Sequence, residues 1–155
     1  YETDDVYEEG DKNYVSYDSF EHELNKKTPL IIWTKNKQLK HTFSGEVDYY
    51  MGAIDVFPTI ANMYGVKNPY ALGHDIFNVD ENVVVFPDGN WLTNKMYYSQ
   101  SREEGKLLDA NETVTVDYIN HYNEIADKVV SISDSIIVYD LIRKTKELDE
   151  MIAEE

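Results

Sequence analysis

The 155-residue chain contains no cysteine. A disulfide framework, a zinc–thiolate cluster and a thiol nucleophile are therefore all excluded. Such a composition suits a bacterial extracytoplasmic protein, and many cytosolic ones as well. No stretch of about 18 apolar residues occurs, so no membrane span lies within the sequence. Basic residues are scarce, with 14 Lys and Arg against 30 Asp and Glu, a formal net charge of −16. That balance excludes a nucleic-acid binder, because no basic face could overcome repulsion from phosphates. It also argues against docking on an anionic membrane surface. Residues 1–12 carry six acids and one lysine, and residues 147–155 carry five acids and no base, so both ends read as solvated acidic tails rather than cation sites. Signal-peptide patterning is missing after Tyr1, which is not a natural start, and the chain is expected to be a piece of something longer.

What is present suffices for one packed domain or part of one: 42% of the residues are hydrophobic, an ordinary value for a globular protein. Residues 1–16 read as an irregular acidic arm. A short helix is expected over Tyr17–Asn25, with Ser16 or Asp18 near its start, broken by Thr28-Pro29. Leu30-Ile31-Ile32-Trp33 is a run of four apolar, β-branched and aromatic residues, which suits a strand buried on both faces of a parallel sheet. Over Asp55–Gly65, Val56, Ile60 and Met63 fall on one helical face. Asp55 could cap that helix, leaving Pro58 at the third position, or the helix could start at Phe57 or Pro58. Gly65 suits its exit. Lys67–Asp75 reads as a loop. Val83–Phe86, the turn Pro87-Asp88-Gly89-Asn90 and a returning strand Trp91–Ser99 make a hairpin. Gly105–Asp109 reads as a short third strand after a turn at Arg102–Glu104. From Val116 to Leu148 apolar residues recur every three or four positions, predicting one long amphipathic helix or two nearly collinear ones, with Ser131, Ser133 and Ser135 the expected break.

Chemistry is thin. The four histidines (His22, His41, His74 and His121) have no partner at metal-ligand spacing. His121 reads as a helix-surface residue, and His22 as part of a solvated acidic face. His41 lies in a loop beyond the Leu30–Trp33 segment, where α/β sites commonly form. His74-Asp75 reads as a structural turn ahead of a metal pair. No Gly-x-Ser-x-Gly elbow or glycine-rich phosphate loop exists. Trp91, Tyr97 and Tyr98 could stack a sugar, but aromatics on a half-buried strand are more often core. Spacing alone thus defines no active site.

A family resemblance adds to this. Asp55-Val56-Phe57-Pro58-Thr59-Ile60 resembles the Asp-hydrophobic-x-Pro-Thr-hydrophobic segment of sulfatases and related alkaline-phosphatase-superfamily enzymes. Thr28–Trp33 is similar to the strand preceding that segment. Leu72-Gly73-His74-Asp75-Ile76-Phe77, Val84–Trp91 and Ile132-Ser133-Asp134 through Asp140-Leu141-Ile142-Arg143 resemble, in the same order, segments of the lipoteichoic acid synthase family. The likeness covers residues 18–146. It implies an α/β fold: the C-terminal portion of a sulfatase-like domain, with residues 17–80 at the edge of the α/β core, residues 81–148 a small antiparallel sheet with a long C-terminal helix, and 149–155 an acidic tail. It further implies a membrane-anchored bacterial parent with its catalytic domain on the extracellular face. That parent would use a threonine nucleophile and Mn2+ or Mg2+ to move glycerol phosphate from phosphatidylglycerol onto a polymer. The nucleophile and the metal ligands of that family precede the matched region. The resemblance therefore carries no catalytic, substrate-binding or metal-binding residue onto this chain, and implies a fragment that binds no cofactor and is inert alone. Its partner would be the missing N-terminal part of its own domain. An arylsulfatase or phosphoethanolamine transferase relative, and a non-enzymatic acidic binding module, stand as alternatives.

Overall fold

The computed structural model describes residues 27–38 and 45–153. The arm over 1–16, the helix expected over Tyr17–Asn25, His22 and His41 lie outside them. The chain divides into two units, Tyr1–Ser44 and Gly45–Glu155. In the first, Leu30–Trp33 is not a strand: all four residues are exposed, Ile31 by 81% and Trp33 by 73%. This corrects the expectation of a doubly buried strand. Hydrophobicity supplies only one half of such a strand; the other half is lateral hydrogen bonding, and every strand of the described sheet comes from residues after 83.

Near the start of the second unit, the irregular segment 48–52 is tied to later chain by polar side chains. Asn94 Nδ2 donates to the Asp48 carbonyl (3.0 Å), the Tyr50 amide donates to Asn94 Oδ1 (3.1 Å), and Asn82 Nδ2 donates to the Tyr50 carbonyl (2.9 Å). Helix α1 follows, Ala53–Met63. It starts earlier than either expected position, with Gly52 as N-cap. Asp55 is then the third helical residue, and its Oδ2 accepts from the Gly52 amide (2.8 Å). A carboxylate one turn in reaches back to an N-terminal amide as effectively as a cap reaches forward. Pro58 lies in the second turn, so the Ile54 carbonyl has no intrahelical donor. Gly65, at φ +69°, closes the helix as expected, with the Val66 amide returning to the Ala61 carbonyl (2.9 Å).

The sheet is a four-stranded antiparallel meander in the order β1 (Val84–Val85), β2 (Trp91–Leu92), β3 (Met96–Ser99), β4 (Glu104–Leu107). The β1–β2 turn falls at residues 87–90, where it was expected: the Phe86 amide donates to the Asn90 carbonyl (2.8 Å), and Asp88 Oδ1 takes the Asn90 amide (3.1 Å). Trp91–Ser99, read as one strand, is two. Thr93 Oγ1 accepts from the Lys95 and Met96 amides (both 3.3 Å), turning the chain so that Trp91 pairs with Tyr98 and Leu92 with Tyr97. The third expected strand exists, shifted to Glu104–Leu107, and Glu103 takes φ +53° in the turn before it.

Helix α2 spans Val116–Val138, its start capped by Thr115, whose Oγ1 accepts from the Tyr118 amide (3.2 Å). It lays Tyr122 and Ala126 on the sheet, closing a core with Trp91, Met96 and Tyr98. The three serines lie inside this helix. The break comes later, at Tyr139–Asp140, where Asp140 adopts φ +50°. Aspartate tolerates that left-handed conformation, and here its Oδ2 also accepts from Arg143 Nε. Helix α3, Leu141–Ala153, follows and takes in much of the stretch read as an acidic tail. The fold is thus mixed α/β with a small antiparallel sheet and C-terminal helices. No helix among the described residues is long and apolar enough to cross a membrane.

Candidate functional site: a polar knot at the Asp55–Thr59 helix

The face of α1 that is buried is not the apolar one. Asp55 and Thr59, one turn apart, are 1% and 0% exposed, while Ile60 on the Val56–Ile60–Met63 face remains 38% exposed. What Asp55 and Thr59 pack against is the turn Gly73-His74-Asp75-Ile76. Asp55 Oδ1 accepts from the His74 amide (2.8 Å); Oδ2 accepts from Asn82 Nδ2 (2.9 Å) as well as from Gly52. Thr59 Oγ1 donates to the Asp55 carbonyl (2.7 Å) and accepts from the Ile76 amide (3.1 Å). A carboxylate taken out of water is tolerable only with its lone pairs occupied, and here three donors occupy them. Gly73 is required for the approach: a Cβ there would lie 2.2 Å from the Ile54 carbonyl oxygen, the one that Pro58 leaves free within the helix.

His74 and Asp75, weighed in the sequence as a turn against a metal pair, do not converge on a common point. Asp75 caps the single 3-10 turn Ile76–Asn78, with Oδ1 accepting from the Phe77 amide (3.1 Å) and Oδ2 accepting from Asn62 and Asn78 amides. The His74 ring is half exposed, with Nδ1 3.9 Å from Asp55 Oδ1. Thr59 is no better placed for chemistry, since its oxygen is buried and engaged on both sides. Among the described residues no three His, Asp or Glu side chains gather into a group that could hold a metal ion. No family model, curated protein or solved structure matches this chain. His121 is exposed on α2, as expected, with its ring edge-on to Tyr122.

The aromatic residues form a second cluster. Trp91 stacks on Tyr98 (5.3 Å between centroids) and meets Tyr122 (5.2 Å), which in turn meets Tyr118 (4.6 Å). Trp91 Nε1 donates to Asn123 Oδ1 (2.8 Å), and the Tyr118 hydroxyl donates to Thr93 Oγ1 (2.9 Å). Burial, reinforced by Tyr118 and Glu81, pushes the Tyr122 hydroxyl well above the usual tyrosine range. With Trp91 and Tyr97 almost fully covered, these rings are core and offer no stacking platform for a sugar. Two shallow grooves flank α2. One, of about 510 Å³, is lined by Asp88, Gln100, Asp127 and Asp134 on its polar side; the other, of about 350 Å³, lies between Ile54 and Phe57 of α1 and Ile136 and Ile137 of α2. Two asparagines that no sequence pattern singles out, Asn82 and Asn94, fasten the elements together. Their only signal was an uncharged polar residue beside apolar strands.

Proposed function

We propose that this chain is the C-terminal portion of the extracellular domain of a phosphoglycerol transferase of the lipoteichoic acid synthase kind. The observation that carries the reading is the knot at α1. The positions that resemble the sulfatase segment, Asp55 and Thr59, bind the backbone of the positions that resemble the following family segment, His74 and Ile76. Segments matched separately in sequence are thus hydrogen-bonded to one another, which is what an inherited scaffold requires of them. The antiparallel sheet ahead of a long helix supports the same reading.

In such an enzyme, a threonine alkoxide outside this chain would attack the phosphorus of phosphatidylglycerol and displace diacylglycerol, and a divalent cation, when bound, would supply charge neutralisation. The part assigned to residues 45–153 is structural. Asp55 holds the His74 turn against α1, and the sheet with α2 closes that side of the domain. The chain alone, incubated with a fluorescent phosphatidylglycerol analogue and Mn2+, should release no product above background; release would overturn the assignment of the nucleophile to another segment. Reading the coding region upstream of Tyr1 tests the family directly. An Asp-His pair close by, and a threonine nucleophile further up, are expected. A cysteine in place of that threonine would make the parent a sulfatase, and a start codon immediately before Tyr1 would leave the acidic binding module as the better reading.

A further inference from the structure

Helix α3 carries its charges in the wrong order for a helix that stands alone. Residues 141–146 hold Arg143, Lys144 and Lys146 and no acid; residues 147–153 hold Glu147, Asp149 and Glu150 and no base. The amino end of a helix carries partial positive charge and the carboxyl end partial negative charge, so +3 sits at the positive pole and −3 at the negative one. The Arg143–Glu147 pair (2.7 Å) also runs base-to-acid along the chain, the weaker of the two i,i+4 orientations. Asp140, just before the helix, accepts from Arg143 Nε and offsets part of the charge at the amino end, but the order of charges within the helix itself stays reversed. Residues 141–147, 149 and 150 are exposed, and α2 is the one element that α3 contacts more than incidentally. Yet the amino end of the helix shows apolar surface, with Leu141 and Ile142 39% and 38% exposed. Just before it Ile137 and Val138 are 74% and 72% exposed.

We propose that α3 is a self-association surface that pairs antiparallel with α3 of a second copy of this chain. An antiparallel two-fold arrangement sets the basic half of each helix against the acidic half of the other, and each helix also presents its dipole in opposition to its partner's. A parallel pair would place like charge on like charge and is disfavoured. A second copy carries a charge pattern that complements this helix half for half. The inference is independent of the transferase reading. A 13-residue helix is about 20 Å long, so the contact is at the small end of specific interfaces and the affinity is modest, with Kd on the order of 100 µM.

Sedimentation of the whole chain between about 10 µM and about 1 mM should show a monomer–dimer equilibrium. Two charge-reversed variants make the test specific. R143E/K144E/K146E gives an all-acidic helix, E147K/D149K/E150K an all-basic one; each alone should dimerise at least about tenfold more weakly, a shift of 1.4 kcal/mol or more. An equimolar mixture of the two should dimerise at least as well as the unaltered chain, which a misfolded variant could not do. A chain that stays monomeric throughout, or one whose association ignores both reversals, overturns the proposal. The second outcome would assign association to another apolar surface, such as Leu30–Trp33.

Discussion

Asp55 is the residue on which most of the polar organisation of residues 45–83 converges. Asp55→Ala would strand the Gly52 and His74 amides and the Asn82 carboxamide, and should cost about 3–5 kcal/mol in urea denaturation. Asp55→Asn keeps the shape but faces an NH2 group toward donors, so its cost should fall below that and still exceed about 1 kcal/mol. Gly73→Ala forces a methyl onto the Ile54 carbonyl and should cost about 2 kcal/mol or more by the same measurement. Tyr122 gives a pH signature. Its folded-state pKa lies above that of the unfolded chain, so the proton is held more tightly in the native protein. Its contribution to stability is therefore constant below about pH 10 and declines as pH rises beyond it, where only the unfolded chain's tyrosine ionises. Thermal melts from pH 8 to 11 should show that decline, and Tyr122→Phe should flatten it. Little at this scale was legible beforehand. Asp55 announces itself near a helix start, but that it is buried beneath His74 depends on a contact 19 residues away.

Elements were more legible, for reasons that differ from one to the next. The Pro-Asp-Gly-Asn turn and the long amphipathic helix declare themselves through local backbone chemistry and 3.6-residue periodicity, which tertiary contacts did not overrule. The split of Trp91–Ser99 was hidden because β2 has only two residues, too few for alternation to register, and because Thr93-Asn94-Lys95 turns through a threonine side chain instead of glycine or proline. In the last helical region three serines looked like the weak point. Helix propensity there is a matter of tenths of a kcal/mol, and it gave way to a residue that reverses φ outright, Asp140. Leu30–Trp33 misled for the opposite reason, since composition speaks of burial but not of the neighbour that must provide it. Thr115→Ala should remove the α2 cap and cost about 1 kcal/mol, read as a lowered urea midpoint with an unchanged slope. Trp91→Ala should cost about 3–5 kcal/mol, because it opens the one place where β2, β3 and α2 meet.

On the scale of the whole molecule the sheet has a consequence in time. Its strands are neighbours in space in the order in which they occur in the chain, and α2 closes over them from the segment that comes next. Almost none of this pairing requires distant parts of the polypeptide to find each other, so loop-closure entropy is small and the search is short. The tie from Asp55 to Asn82 spans 27 residues, and those that dock α2 on the sheet span 25 (Tyr118 to Thr93) and 32 (Trp91 to Asn123), so both carry a larger closure cost than the strand pairing. Residues 84–107 should accordingly gain protection from hydrogen exchange before α1 does when denaturant is diluted away. A chain emerging from a narrow pore, amino end first, would then hold α1 in waiting until the meander behind it had appeared and set.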